Sequence, residues 1–120
     1  MRAVAAAAAM VALLAACGGA SGPSQPAGST QVTMTEYSFT PSTISVPSGK
    51  VVFYLVNSGS LSHDIVIRDK SGTNVARSEL ISAGDRNVFT VDNIAAGSYT
   101  FLCDQPGHEA SGMKGTLTAT

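Results

Sequence analysis

The sequence predicts an all-β domain, a β-sandwich or barrel of about eight short strands. Two observations lead to this prediction. Segments of four to eight residues, rich in Val, Ile, Thr, Tyr and Phe, carry the two-residue alternation of half-buried strands. Turn-forming Gly, Pro, Asn and Asp residues separate these segments at short intervals. The domain sequence has no convincing helical period and no internal repeat.

Each of these apolar segments is predicted to form one strand, and the strands follow one another along the chain. Residues 51–56 are apolar on both faces, which is typical of a central strand that is covered on both sides. In residues 63–68 the alternation places His63, Ile65 and Ile67 on one face. Residues 74–80 have the weakest pattern. The complete set of predicted strands is 32–39, 43–46, 51–56, 63–68, 74–80, 87–91, 98–103 and 113–118.

The N-terminal residues are not part of the predicted sandwich. Arg2 is followed by an alanine-rich apolar run that is typical of an export signal. The run is too short to cross a bilayer, since a spanning helix needs about 20 apolar residues. It ends in Leu14-Ala15-Ala16-Cys17, which resembles the cleavage box of bacterial lipoproteins. We therefore expect a lipoprotein signal peptide over residues 1–16 and a lipid on Cys17.

The segment between the signal and the sandwich contains Gly, Ser, Pro, Ala and Gln but no large apolar side chain. This composition predicts that residues 17–30 form the lipidated N-terminus and a flexible linker, followed by a single domain over 31–120. An ordinary signal peptide with a chance cysteine is the alternative. The lipoprotein reading places the domain outside the cytoplasm, on the periplasmic face of a membrane or on the cell surface.

The charge of the chain argues against one class of partner. The formal net charge is −1, and removal of the signal peptide also removes Arg2, which makes the mature chain more negative. Because no basic patch remains, nucleic acid is not an expected partner.

The cysteines point to a metal. The chain has two, and if Cys17 carries a lipid then Cys103 has no disulfide partner. Cys103 is followed closely by His108 and Met113, and His63 is the other histidine of the chain. One thiolate, two imidazoles and a thioether are the ligands of a mononuclear electron-transfer copper site, in which the Met is a weak axial ligand. We predict one copper ion bound by His63, Cys103, His108 and Met113.

The strand register supports this metal site. Cys103 shares a strand face with Phe101, and Met113 shares one with Leu117, so both side chains should point into the core. Each residue alone has a plainer interpretation, because an isolated Cys or Met is most often a buried apolar residue. An isolated His is most often a surface or hydrogen-bonded core residue. Their joint occurrence at ligand spacing favours the metal site.

The residues Cys103, His108 and Met113 form a Cys-x4-His-x4-Met motif that resembles the copper loop of the plastocyanin and azurin family, the cupredoxins. The gap between Cys and His is more similar to azurin and auracyanin than to plastocyanin. The resemblance extends over nearly all of residues 31–120 and includes Phe39-Thr40-Pro41, Val46-Pro47, Val56-Asn57 and His63-Asp64. It implies a Greek-key β-sandwich and a type 1 copper ion.

One position departs from the family pattern. Azurins and plastocyanins carry Asn after the first histidine ligand, where the amide helps to hold the Cys loop, whereas this chain has Asp64. The contact that would hold the loop is therefore an open question at this point. The alternatives for Asp64 are a bond to a hydroxyl, a bond to a backbone N–H, or a side chain that faces solvent.

The resemblance implies a blue copper protein that carries single electrons between extracytoplasmic or membrane redox partners. We expect a monomer that is anchored to the membrane by its lipid. Its His108 is expected to lie at the surface inside a modest apolar patch, where redox partners dock. Asp104 and Glu109 flank this histidine and are expected to steer a basic partner.

Two other functions compete with electron transfer. A copper chaperone, scavenger or buffer would use the same ligands, but only Met34 and Met113 remain after cleavage, which argues against a Met-rich copper carrier. A metal-free structural sandwich would make the four ligand residues a coincidence. An enzyme is not expected, because a copper ion with four protein ligands has no open coordination position.

Overall fold

The computed structural model describes residues 21–120, so the predicted signal peptide and Cys17 lie outside the described residues. Over residues 21–120 there are nine strands and no helix, and hence no helix that could span a membrane. The prediction of an all-β sandwich is confirmed. The strands are β1 (Thr30–Thr35), β2 (Ser38–Thr40), β3 (Thr43–Val46), β4 (Gly49–Asn57), β5 (Val66–Arg68), β6 (Asn74–Arg77), β7 (Arg86–Ile94), β8 (Gly97–Leu102) and β9 (Lys114–Ala119).

The strands form two mixed sheets. One has the strand order β2-β1-β4-β7 and the other has the order β3-β9-β8-β5-β6. Most neighbours are antiparallel, but β1 pairs with β4 and β3 pairs with β9 in parallel. The chain passes from one sheet to the other after β2, β3, β4, β6 and β7, so residues distant in sequence share one core.

β4 is one of the two inner strands of the first sheet, as its apolar residues on both faces predict. Phe53 and Leu55 point into the core, where Phe53 stacks on Phe89 with ring centroids 5.9 Å apart. On the opposite sheet, Phe101 of β8 meets Phe39 edge to face at 5.0 Å. These aromatic pairs fill the space between the sheets.

A glycine makes room for the Phe101 ring. Gly115 of β9 is the cross-strand partner of Phe101, and a Cβ at this position would overlap both the Phe101 ring and the carbonyl oxygen of Ser42. The requirement for Gly here is therefore steric, because the backbone and the ring approach each other too closely for a side chain.

The segment that precedes β1 lies against the first sheet. The Arg86 N–H donates to the Ser21 carbonyl at 2.7 Å, and the Tyr54 hydroxyl donates to the Pro23 carbonyl at 2.8 Å. Gly22 has φ +130°, and a Cβ there would overlap the Arg86 carbonyl. Tyr54 is buried although it lies on the face of β4 opposite to Phe53. Residues 21–29 thus contact the sandwich through specific hydrogen bonds.

The structure differs from the predicted strands mainly in three places. The predicted strand 32–39 is divided into β1 and β2, because the chain turns at residues 36–37. The strand predicted from His63 begins only at Val66, and His63 itself forms an isolated bridge with Ile81. Residues 63–67 are all buried, so their alternation does not separate an inner from an outer face. The segment 74–80 contributes only the four-residue strand β6.

Candidate metal centre

Three of the predicted ligands meet at one end of the sandwich. His63 Nδ1 and His108 Nδ1 are 3.2 Å apart, and Cys103 Sγ lies 3.8 Å from the first and 3.4 Å from the second. Within residues 21–120 these three side chains are the group of His, Cys, Asp or Glu residues whose arrangement could hold a metal ion. All three are buried.

The spacing of the three atoms matches the size of a metal ion. A triangle with sides of 3.2, 3.4 and 3.8 Å has a centre that is about 2.0 Å from each corner, and protein N and S ligands bind a divalent ion such as zinc at ~2.0–2.3 Å. Two imidazole nitrogens and a thiolate in one plane are the trigonal ligands of a blue-copper site. The residues present therefore fit a copper ion.

Two of the predicted ligands, Cys103 and Met113, lie at the adjacent ends of β8 and β9. Cys103 directly follows β8 and Met113 directly precedes β9, and the Cys103 N–H donates to the Met113 carbonyl at 3.1 Å. The Met113 N–H in turn donates to the His108 carbonyl at 3.0 Å. Met113 is fully buried. Backbone hydrogen bonds thus connect the three C-terminal residues of the predicted ligand set.

The loop between Cys103 and Met113 is a series of tight turns. His108 N–H donates to the Gln105 carbonyl at 3.0 Å, and Gly112 N–H donates to the Glu109 carbonyl at 2.9 Å. Gly107 and Gly112 have φ values of +81° and +104°. Residues with a Cβ are disfavoured in this region, so these two glycines allow the loop to return the His108 ring to the cluster.

His63 comes to the same point from a different loop. Its backbone exchanges two hydrogen bonds with Ile81, at 3.1 and 2.8 Å. The buried Asn57 side chain supports this loop, since its amide donates to the carbonyls of Leu61 and Ile81 and its Oδ1 accepts from the Gly59 N–H. Asn57 therefore holds both sides of the segment that carries His63.

Comparisons with known proteins agree with this geometry. Residues 4–119 match the family described as the cupredoxin-like domain. This chain belongs to the cupredoxin-like family. The match begins within the predicted signal peptide and includes His63, Cys103, His108 and Met113. The predicted resemblance of the chain to the cupredoxins is thereby confirmed.

The individual relatives share limited sequence identity with this chain or match only a short part of it. The chain is 41% identical to Auracyanin-B from Chloroflexus aurantiacus over 46 residues, which are 38% of this chain and only 20% of that protein. It is 29% identical to Plastocyanin from Scenedesmus fuscus over 85 residues, or 67% of this chain and 84% of that protein. Auracyanin A, a "blue" copper protein from Chloroflexus aurantiacus, has a similar structure. Its TM-score is 0.63 at 20% identity, covering 75% of this chain and 99% of that one.

The Asp64 side chain of this cupredoxin resolves the open question about the Cys loop. Asp64 Oδ1 accepts a hydrogen bond from the Asp104 N–H at 2.9 Å, so the carboxylate connects the His63 segment to the start of the Cys loop. The second oxygen, Oδ2, lies 3.5 Å from Arg77 Nη1, and Arg77 Nη2 also pairs with the Asp104 carboxylate. A backbone N–H is thus the partner of Asp64, and an arginine compensates its charge.

Burial and neighbouring groups shift the pKa values of Asp64 and Asp104 in opposite directions. Burial is the main cause that raises the pKa of Asp64 above its ordinary value of 3.8. The pKa of Asp104 is lowered, first by its hydrogen bond with Asp64 and then by Arg77. Asp104 therefore carries the negative charge more readily than Asp64 does, although Asp64 lies deeper in the protein.

The Cys103 thiol has a raised pKa. Burial is the main cause, and the nearby Asp64 carboxylate adds to it. The ordinary value is 9.0, so the thiol of the metal-free protein is protonated at neutral pH. A metal that binds the thiolate must displace this proton.

His108 is more enclosed than the sequence suggests. The sequence predicts that His108 lies at the surface within an apolar patch, but only 9% of His108 is exposed. Pro106, Gly107 and Ala110 around it are exposed, and the Tyr37 ring packs edge-on against the imidazole with centroids 5.1 Å apart. Tyr37 thus covers part of the His108 ring, the predicted ligand that the sequence suggests is exposed to solvent.

Three residues near the cluster were not among the predicted site residues. Asn57 and Arg77 support the two loops, and Glu36 Oε1 lies 3.0 Å from His63 Nε2. Hydrogen bonds lower the Glu36 pKa, above all the bond from the Leu61 N–H. No spacing rule relates these positions to the ligands, because they lie on other loops and strands. Asn57, the last residue of β4, is one of the residues that carry the family resemblance, and this was the one available signal.

Proposed function

We propose that this cupredoxin is a type 1 copper protein that carries single electrons between extracytoplasmic redox partners. His63, Cys103 and His108 would be its trigonal ligands and Met113 its axial ligand. The observation that carries the proposal is the triangle of two Nδ1 atoms and one Sγ atom, whose centre suits a copper ion. When copper is bound, it supplies a one-electron couple. Its four protein ligands leave no open position for a substrate, so we propose no enzymatic activity.

The protein supplies a rigid and dry frame. Backbone hydrogen bonds join Cys103 to Met113, Met113 to His108 and His63 to Ile81, and His63 and Cys103 have no exposed surface. Such a frame keeps one ligand geometry for both oxidation states, which keeps the structural change on electron transfer small. Hydrogen bonds around the ligands then adjust the reduction potential.

Partner docking is proposed at the end of the domain that carries His108. Two exposed apolar side chains lie there, Tyr37 on the His108 ring and Leu61 in the loop that leads to His63. The acids that were expected to steer a basic partner are paired with arginines, Asp104 with Arg77 and Glu109 with Arg68 at 3.6 Å. Docking through apolar contacts therefore has more support than strong steering by acidic residues.

The lipid anchor remains a proposal on sequence grounds. Leu14-Ala15-Ala16-Cys17 would be cleaved before the cysteine, and the acylated Cys17 would keep the domain at a membrane. Labelling cells with a radioactive fatty acid tests it directly. The mature protein should carry the label, and Cys17→Ala should abolish it. An unlabelled wild-type protein in the soluble fraction would contradict the anchor.

Ligand variants test the copper site with a matched control. Cys103→Ser should remove the intense visible absorption of the Cu(II) protein, because the thiolate is its source. Met113→Leu should keep the absorption and change the reduction potential. Met34→Leu is the control, since Met34 is an equally buried methionine of the core and should change neither property. An intensely coloured Cys103→Ser protein would contradict the ligand assignment.

A second experiment separates electron transfer from copper delivery. The copper protein is mixed in one case with a small redox reagent and in the other with a competing Cu(I) chelator. An electron carrier should cycle between oxidised and reduced forms many times and keep its metal. Rapid loss of copper to the chelator would favour a chaperone, scavenger or buffer instead.

A further inference from the structure

Glu36, one residue beyond β1, has a carboxylate oxygen with three N–H donors. Its Oε1 lies 3.0 Å from His63 Nε2 and 2.8 Å from the backbone nitrogens of both Ser60 and Leu61. The carboxylate therefore contacts the His63 ring and also the loop that leads to it.

This contact fixes the state of the imidazole. An ionised carboxylate can only accept hydrogen bonds, so the His63 proton must be on Nε2. The lone pair of Nδ1 then faces the cluster, where Nδ1 lies 3.2 Å from His108 Nδ1 and 3.8 Å from Cys103 Sγ. The ring is turned toward the metal position before any metal binds.

A glycine shows that the loop is built around this carboxylate. A Cβ on Gly59 would overlap Glu36 Oε1, and the Gly59 φ lies outside the left-handed region that favours glycine. Glycine is therefore required at this position for space rather than for backbone conformation. The Gly59 N–H is at the same time held by Asn57 Oδ1 at 3.0 Å, so the loop cannot easily move away.

We propose that Glu36 is a positioning residue that fixes the tautomer and orientation of His63 and lowers the reduction potential of the copper site. A carboxylate that accepts from a ligand imidazole makes that ligand more basic. A more basic ligand stabilises Cu(II) more than Cu(I), because the oxidised ion has the higher charge. The inference rests on the proposed function in that it takes His63 as a copper ligand.

The Glu36→Gln variant tests the effect on the potential. Glutamine keeps an acceptor oxygen but loses the charge, and substitution of such a ligand partner changes metal affinity by about tenfold or more. The equilibrium between the copper protein and a redox mediator of known potential should move about tenfold toward Cu(I), which is ~59 mV for one electron. Glu109→Gln is the control, since it removes the same charge next to His108 from a side chain that is 46% exposed. It should shift the equilibrium less than twofold.

Gly59→Ala is a second test that leaves the charge in place. The new methyl group should displace the carboxylate from His63 and move the potential in the same direction as Glu36→Gln. If Glu36→Gln does not fold, this variant alone decides the question. A Glu36→Gln potential equal to that of wild type, or a shift no larger than that of Glu109→Gln, would overturn the proposal.

A measurement on the metal-free protein separates this inference from the proposed function. Nitrogen-15 NMR of the wild type should show His63 protonated on Nε2, with a slowly exchanging proton that moves upfield in Glu36→Gln. A His63 protonated on Nδ1 would overturn the inference even if copper binds. A wild-type protein that shows the Nε2 proton but gives no thiolate–copper absorption would support the positioning role of Glu36 and overturn the electron-transfer function.

Discussion

Arg77 neutralises a buried carboxylate beside the proposed copper ligands, so its removal should be costly. The Asp64 side chain is only 4% exposed, and its Oδ2 lies 3.5 Å from Arg77 Nη1. The Arg77 side chain itself is 52% exposed and also pairs with Asp104. We predict that Arg77→Gln destabilises the protein mainly because it leaves the Asp64 charge buried without a cation.

The magnitude lies between two limits. An exposed ion pair contributes about 0.2–1 kcal/mol, whereas removing one partner of a fully buried pair costs about 3–5 kcal/mol. Because Asp64 is buried and Arg77 is half exposed, we expect Arg77→Gln to lower the free energy of unfolding by about 2 kcal/mol. In an Asp64→Asn background the buried charge is gone and only the more exposed Asp104 pair remains. There the same substitution should cost no more than about 0.5 kcal/mol.

A double-mutant cycle measures the difference. Urea unfolding at neutral pH of the wild type, the two single variants and the double variant gives the coupling energy between Arg77 and Asp64, which we expect to be about 1.5 kcal/mol. Asp64→Asn alone should be tolerated, since the amide oxygen can still accept from the Asp104 N–H. An equal cost of Arg77→Gln in both backgrounds would refute the assignment of Arg77 as the counter-charge of Asp64.

Three further predictions follow from the fold. Gly115→Ala should lower the free energy of unfolding by about 1–3 kcal/mol in urea unfolding, because its Cβ would overlap a core aromatic ring. Tyr54→Phe should cost about 1 kcal/mol, and almost nothing in a chain without residues 21–29, which supply the acceptor of its hydroxyl. Hydrogen bonds, first from the Ser71 hydroxyl, lower the pKa of Asp69 below 3.8, so its contribution to stability is present above that pH and lost as the pH falls through the lowered pKa. Acid unfolding curves should therefore show a smaller loss of stability below pH 3.8 for Asp69→Asn than for wild type.

The fold class could be predicted because its signals are local. Alternating apolar residues and turn-forming residues indicate strands without knowledge of the partners of each strand. The prediction of strands from local patterns fails where contacts with distant segments of the chain decide the structure. The turn at residues 36–37 interrupts a segment that reads as one strand, and the buried segment 63–67 alternates in sequence while both of its faces are covered. Long-range contacts to Ile81 and Asn57 fix this segment, and a local pattern does not contain them.

The proposed ligands could be predicted because Cys, His and Met are rare in this chain and three of them lie within one loop. The residues that support these ligands could not be predicted from the sequence. Glu36 reaches His63 from a turn 27 positions away in sequence. Arg77 belongs to an edge strand, where an exposed cation has no distinctive sequence pattern. The contacts of residues 21–29 could not be predicted from composition either, because backbone carbonyls of Ser21 and Pro23 make them.

The central claim is that two imidazoles and the Cys103 thiolate bind one copper ion at the centre of the observed triangle. The most direct test is a titration of the metal-free protein with Cu(II), followed by visible absorption and EPR spectroscopy and repeated after addition of a reductant. We predict an intense blue absorption that is complete at one equivalent of copper, with the narrow EPR hyperfine splitting of a type 1 site, and reversible bleaching on reduction. A colourless complex, or one without thiolate-to-copper absorption, would contradict the claim.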